Sequence, residues 1–119
     1  MTTPTPADIA DVLDRAADHI DRVGWTQGDW CEATPGLQPK DCPVCADGAL
    51  AVAAYGRPRG AGGHRKPDQF ALHSAAVTAL IRYIGEGLID WNDSEDRTKG
   101  EVVGAMRAAA DEQRKLVAS

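Results

Sequence analysis

Residues 41–50 read "DCPVCADGAL", and two different folds can begin from them. A Cys-x-x-Cys pair opens many zinc and thiol-redox sites, whereas a cysteine before an alanine-rich run marks the first turn of a buried helix. The flanking residues favour the helix. Downstream, "GALAVAAY" runs to Gly56 with almost no polar side, which predicts a helix over 46–55 in a central position, with Asp47 as its cap. Upstream, residues 24–44 mix glycine, proline, two tryptophans and polar side chains with neither helical nor strand periodicity. They read as a long ordered loop, anchored by burial of Trp25 or Trp30.

The same logic extends outward. Ile9, Val12, Leu13, Ala16, Ile20 and Val23 recur at helical spacing and predict a helix over 6–23. Thr5 and Asp8 form its capping box, Pro6 suits its first position and Gly24 stops it. Asp8, Asp11, Asp14, Asp18 and Asp21 follow one another on the opposite side, with Arg15 and Arg22 four residues after Asp11 and Asp18, and read as a solvated face. A third helix is predicted over 68–84, with Phe70, Val77, Leu80, Ile81 and Ile84 inward. The turn "GLIDWND" should tuck Leu88, Ile89 and Trp91 under the bundle. Thr98 and Glu101 form a second capping box and open a helix over 98–117, with Val102, Val103, Met106, Ala109, Ala110 and Leu116 inward. The expected fold is all-α: one domain, residues 1–119, of about four helices with two long irregular loops.

Composition narrows the function classes. At 119 residues one core is expected. A net charge of −5 lacks the basic footprint of a nucleic-acid binder. No apolar run approaches the ~20 residues that cross a bilayer, and "MTTPTPADIADVLD" carries acids where a secretory signal is basic and then apolar. The expected location is the cytoplasm, where three cysteines are reduced thiols or metal ligands rather than a disulfide framework.

Three strings carry a family resemblance: "LDRAADHIDRVGWTQG" at 13–28, "CADGALAVAA" at 45–54 and "WNDSEDRTKGEVVGAMRAAAD" at 91–111. Together they resemble a domain-of-unknown-function family of small actinobacterial and actinobacteriophage proteins. Its recurring features are a first helix ending in Gly-Trp-Thr, a Cys-x-x-Gly-Ala-Leu helix start, and a Trp-Asn-Asp turn before Arg-Thr and a closing helix. The resemblance brings no known activity. It leaves out residues 29–42 and 56–67, so Cys31 and Cys42 look like additions of this chain.

Cys31, Cys42 and Cys45 are three soft ligands that His64, or His73 in its place, would complete to a Cys₃His zinc site stapling the loop to the bundle. A lone Cys-x-x-Cys is only half of a zinc signature, and no cofactor is expected on the first reading, in which Cys45 packs at a helix start. A cysteine hydrolase would use Cys45 with His64 or His73 as base and Asn92 or Asp93 as orienter. A thioredoxin-like pair lacks its βαβ context. Trp25, Cys45, Gly48, Trp91, Asn92, Asp93, Thr98 and Glu101 are expected to be structural, with Asn92 and Asp93 bonding loop amides.

The segment 56–67, "GRPRGAGGHRKP", is expected to be flexible, and its Arg57, Arg59, Arg65 and Lys66 offer a partner-binding loop. No phosphate loop, paired catalytic motif or His-Glu metal helix is present. The reading that follows is a cytoplasmic, non-enzymatic protein-binding modulator, phage- or mobile-element-encoded, with an unidentified protein partner and with homodimerisation open. A zinc-stabilised module and a Cys45-dependent enzyme are the alternatives.

Overall fold

The computed structural model describes residues 3–58 and 67–118. Five α-helices are present among them: α1 Pro6–Val23, α2 Ala46–Tyr55, α3 Pro67–Ile84, α4 Leu88–Asn92 and α5 Lys99–Ala118. α1 is the central element, packing most extensively on α5 and also on α2 and α3. Leu13 and Ile20 of α1, Leu50 of α2, Leu80 of α3 and Val102 and Met106 of α5 are fully buried together. Ala10, Ala16 and Ala17 on α1 and Ala105, Ala109 and Ala110 on α5 complete this core. With methyl groups instead of long side chains between them, the two helices approach closely.

Local chemistry accounts for the helix ends. The Thr5 hydroxyl accepts from the Asp8 amide at 3.1 Å and Asp8 accepts from the Thr5 amide at 3.2 Å. Gly24 closes α1 at φ 103°, a conformation that side chains disfavour. At α5 the Thr98 amide donates to Glu101 at 3.0 Å and the Glu101 amide returns a bond to the Thr98 hydroxyl at 3.2 Å.

Four expectations are corrected. The segment expected to be a turn is a short helix, α4, whose spacing puts Leu88 and Trp91 on one buried face and leaves Ile89 54% exposed. Phe70 and Leu116 are exposed rather than inward. The buried side of α3 is centred on His73, Ala76 and Leu80, and Phe70 falls at the margin of that stripe in the first turn. The aspartate face of α1 is exposed but not simply solvated. Arg107 of α5 reaches Asp14 at 3.5 Å, Asp18 at 2.8 Å and Asp21 at 3.5 Å, and Arg114 pairs with Asp14 and, at 3.9 Å, with Asp11. Arg15 and Arg22 turn elsewhere, to the Ala53 carbonyl and to Nδ1 of His19.

The loop between α1 and α2 is ordered by Val44, which is fully buried. Thr26 donates to the Val44 carbonyl at 3.0 Å, and Val44 donates to Gly24 at 3.2 Å. Isolated β-bridges join Val44 to Trp25 and to Cys31. A single 3-10 turn, Pro39–Asp41, carries the chain back toward α2. The basic segment lies outside the described residues apart from 56–58 and 67, so the expectations placed on Arg59, His64, Arg65 and Lys66 fall there too.

Candidate functional site

The start of α2 answers the question posed by residues 41–50. Cys45, not Asp47, is the N-cap: its Sγ accepts from the Gly48 amide at 3.3 Å. The Cys45 amide in turn donates to the Trp30 carbonyl at 3.1 Å, which lays the preceding loop against the first turn of the helix. Burial, opposed by the Gly48 bond, pushes the Cys45 thiol up to about 11, so it is protonated at neutral pH. Asp47, two residues further on, is buried and pairs with Nε2 of His73 at 2.8 Å. The edge of the His73 ring meets Tyr55 with centroids 5.7 Å apart.

Asn92, only 2% exposed, fastens this helix start to the rest of the chain. Its Oδ1 accepts from the Trp25 indole at 2.8 Å and from the Ala46 amide at 2.9 Å. Its Nδ2 donates to the Thr26 carbonyl at 3.2 Å and to Oδ1 of Asp93 at 3.0 Å. Asp93 also accepts from the Gly28 amide at 2.9 Å, and the Gln27 amide group donates to the carbonyls of Asn92 and Ser94. One buried carboxamide thus ties the end of α1, the start of α2 and the end of α4 into a single polar junction. Behind it, the Arg97 guanidinium lies 4.2 Å from the centroid of the Trp91 ring while pairing with Glu101 at 3.1 Å.

A cleft of about 250 Å³ opens over this junction. Of its lining residues Cys45, Asp47, Leu88 and Asn92 are buried, and Gly28, Asp29, Trp30, Ile89 and Asp93 are exposed. Trp30, 38% exposed, and Ile89 are its exposed large apolar side chains.

The candidate metal ligands are not gathered in this cleft. Cys31 and Cys42 line a separate hollow beside Pro35 and Leu37, and the Cys42 thiol donates to the Gln38 carbonyl at 3.3 Å. Burial raises the Cys31 thiol, helped by Asp29 and Cys42. His73 is committed to Asp47, and His64 lies outside the described residues. Among the described residues no three His, Cys, Asp or Glu side chains converge as a metal site would require. Arg57 packs over the Tyr55 ring at 5.7 Å, and the other residues of the proposed binding loop are not described.

Sequence reasoning singled out Cys45, Asn92 and Asp93 but missed the pairing of Asp47 with His73 and the part that Gly28, Asp29 and Trp30 take in lining the cleft. The one signal for the pairing is a histidine within the inward stripe of α3.

Residues 4–112 match a family of unknown function, DUF6197, and the chain belongs to it. No curated protein and no solved structure matches the chain.

Proposed function

We propose that the protein is a non-enzymatic, protein-binding modulator of the cytoplasm, of actinobacterial or phage origin, that receives its partner at the cleft between Trp30 and Ile89. The observation that carries this reading is the contrast between the buried and the exposed residues that line the cleft. The buried ones are bonded internally through Asn92 and the Cys45 cap. The exposed ones include an aromatic and an aliphatic side chain, Trp30 and Ile89. Exposed apolar anchors around a preformed concavity are what a protein interface uses to gain affinity without ordering costs. The Cys45 thiol supports a binding rather than a catalytic role, being protonated and engaged as a helix cap with no histidine bonded to it among the described residues.

The test is photo-crosslinking in cells that encode the protein, from a photoreactive amino acid at Ile89 and, as control, at exposed Leu37. The expected result is one protein crosslinked from position 89 and not from 37. Purified, it should bind the wild-type chain and lose binding to Trp30→Ala, whose melting temperature stays near the wild-type value. Equal labelling from both positions, or binding unaffected by Trp30→Ala, would overturn the reading.

A further inference from the structure

The structure assigns Cys31 and Cys42 to one thiol–disulfide exchange site, which a low-molecular-weight disulfide such as oxidised glutathione closes into an intramolecular bond. The backbone brings the two thiols to one face. The Cys45 amide donates to the Trp30 carbonyl at 3.1 Å and the Glu32 amide to the Pro43 carbonyl at 2.7 Å. These bonds flank Cys31 and Val44 and make them facing residues of an antiparallel bridge. Cys42 is extended, at φ −89° and ψ 157°, two residues before Val44. Strand alternation therefore turns its side chain to the face of Val44, diagonal to Cys31. In agreement with this register, both cysteines line one hollow with Ala33, Pro35 and Leu37. Cys42 is also among the groups that raise the Cys31 thiol, so the two sulfurs sense one another's charge.

Their exposures divide the work. Cys31 is half-buried and open to a reagent in solution, whereas Cys42 is 1% exposed and reachable from Cys31. Cys45 lies apart from both, capping α2 and lining the other cleft. Diagonal residues of a bridge have Cα atoms ~7–8 Å apart, and a disulfide draws them to about 5.5–6 Å. The chain between the two thiols can follow this movement. Its bonds are those of short turns, Leu37 to Thr34 at 3.1 Å and Asp41 to Gln38 at 2.9 Å, and Cys42 gives up a weak thiol bond to the Gln38 carbonyl.

The exchange balances in two displacements. Cys31 releases its proton to solvent, and its thiolate attacks one sulfur of glutathione disulfide. The mixed disulfide forms as the glutathione S–S bond breaks, and one glutathione thiolate leaves. Cys42, deprotonated in turn, attacks the Cys31 sulfur and expels the second glutathione thiolate. The two leaving thiolates take up the two protons, so two protein thiols are oxidised and one disulfide is reduced to two thiols. The product staples the loop across its own bridge to Val44, and excess thiol reverses it.

The experiment incubates the reduced full-length chain with excess oxidised glutathione at about pH 8.5, where thiolates are more populated, with and without concentrated urea. After an acid quench the disulfides are mapped by mass spectrometry. Trypsin cleaves after Lys40 and leaves Cys31 on one peptide and Cys42 with Cys45 on the next, where fragmentation tells the last two apart. In the folded chain the Cys31–Cys42 bond is expected to exceed the other two pairings by about tenfold or more, a selectivity lost in urea. Cys42→Ser is expected to stop at glutathione on Cys31, and Cys31→Ser to leave Cys42 unmodified. A wild-type chain that stays reduced, that stops as the Cys31 adduct, or that joins Cys31 to Cys45 or to a second copy would overturn the assignment. The same pairing preference in urea would overturn it as well, because proximity along the chain rather than the fold would then select the pair.

Discussion

The carbonyl oxygen of Trp30 occupies the place where a side chain at position 48 would begin: a Cβ on Gly48 would lie 2.3 Å from it. The loop is held there by the bond from the Cys45 amide, so the contact is with backbone and has no flexible tip to move aside. Gly48→Ala is therefore expected to destabilise the fold by about 1–3 kcal/mol even though alanine is the better helix former. Urea denaturation reads this directly, and a Gly48→Ala protein as stable as the wild type would show that the loop is not seated on α2 in solution.

Asn92 is expected to be the most sensitive polar position among the described residues. Asn92→Ala leaves the Trp25 indole, the Ala46 amide and the Thr26 carbonyl without their partner. A loss of about 3 kcal/mol or more follows, with a fall in melting temperature of ~4–8 °C for each kcal/mol. Trp25 emission should change in the folded variant, since its indole loses the 2.8 Å acceptor.

Cys45 makes an alkaline prediction. Its thiol is held up to about 11 in the fold against an ordinary 9.0, so the unfolded chain gives up this proton first. The stabilisation is fully present below pH 9 and is lost as pH rises toward 11, in total by about 3 kcal/mol. Cys45→Ser replaces the cap with a preferred one that does not ionise in this range. The variant is expected to stay close to wild type at neutral pH and to lack this part of the alkaline decline. A Cys45→Ser protein with an unaltered decline would assign it to other groups.

His19 makes the corresponding prediction in acid. Burial first, then the Arg22 guanidinium, lowers its pKa below 6.5, against weaker opposing effects of Asp41 and the Lys40 carbonyl. Nδ1 accepts from Arg22 at 3.0 Å, and Nε2 is buried without a hydrogen-bond partner among the described residues. A pKa depressed in the folded state means that the unfolded chain binds the proton more readily. Stability is thus complete above pH 6.5 and falls as pH drops through the folded value. Melting temperatures between about pH 7.5 and pH 5.5 should fall more steeply for the wild type than for His19→Gln.

The helical character was legible in the sequence because apolar spacing and caps are local. Thr5 with Asp8 and Thr98 with Glu101 place the starts of α1 and α5, and Gly24 and Gly56 place the ends of α1 and α2. The short α4 was not legible, since its two buried residues, Leu88 and Trp91, are too few to set a period. Pairings between distant segments were also hidden. His73 and Asp47 stand 26 residues apart, and Arg107 meets Asp18 across 89, separations at which no sequence spacing carries a signal. The residues of the junction were visible one by one as Trp25, Cys45 and Asn92, but their convergence required the fold. The cysteine spacing pointed two ways, and only the fold shows Cys45 Sγ accepting from Gly48 as the helix cap.

The Asn92 junction also sets when the cleft comes into being. Its bonds to Trp25 and Ala46 span 67 and 46 residues, and Asp93 and Asn92 are themselves part of the surface over which the cleft opens. A ribosome-bound chain that has released α1, the Trp30 loop and α2 still lacks Leu88, Ile89, Asn92 and Asp93 of its lining. The cleft is complete only late in synthesis, after α4 has cleared the exit tunnel.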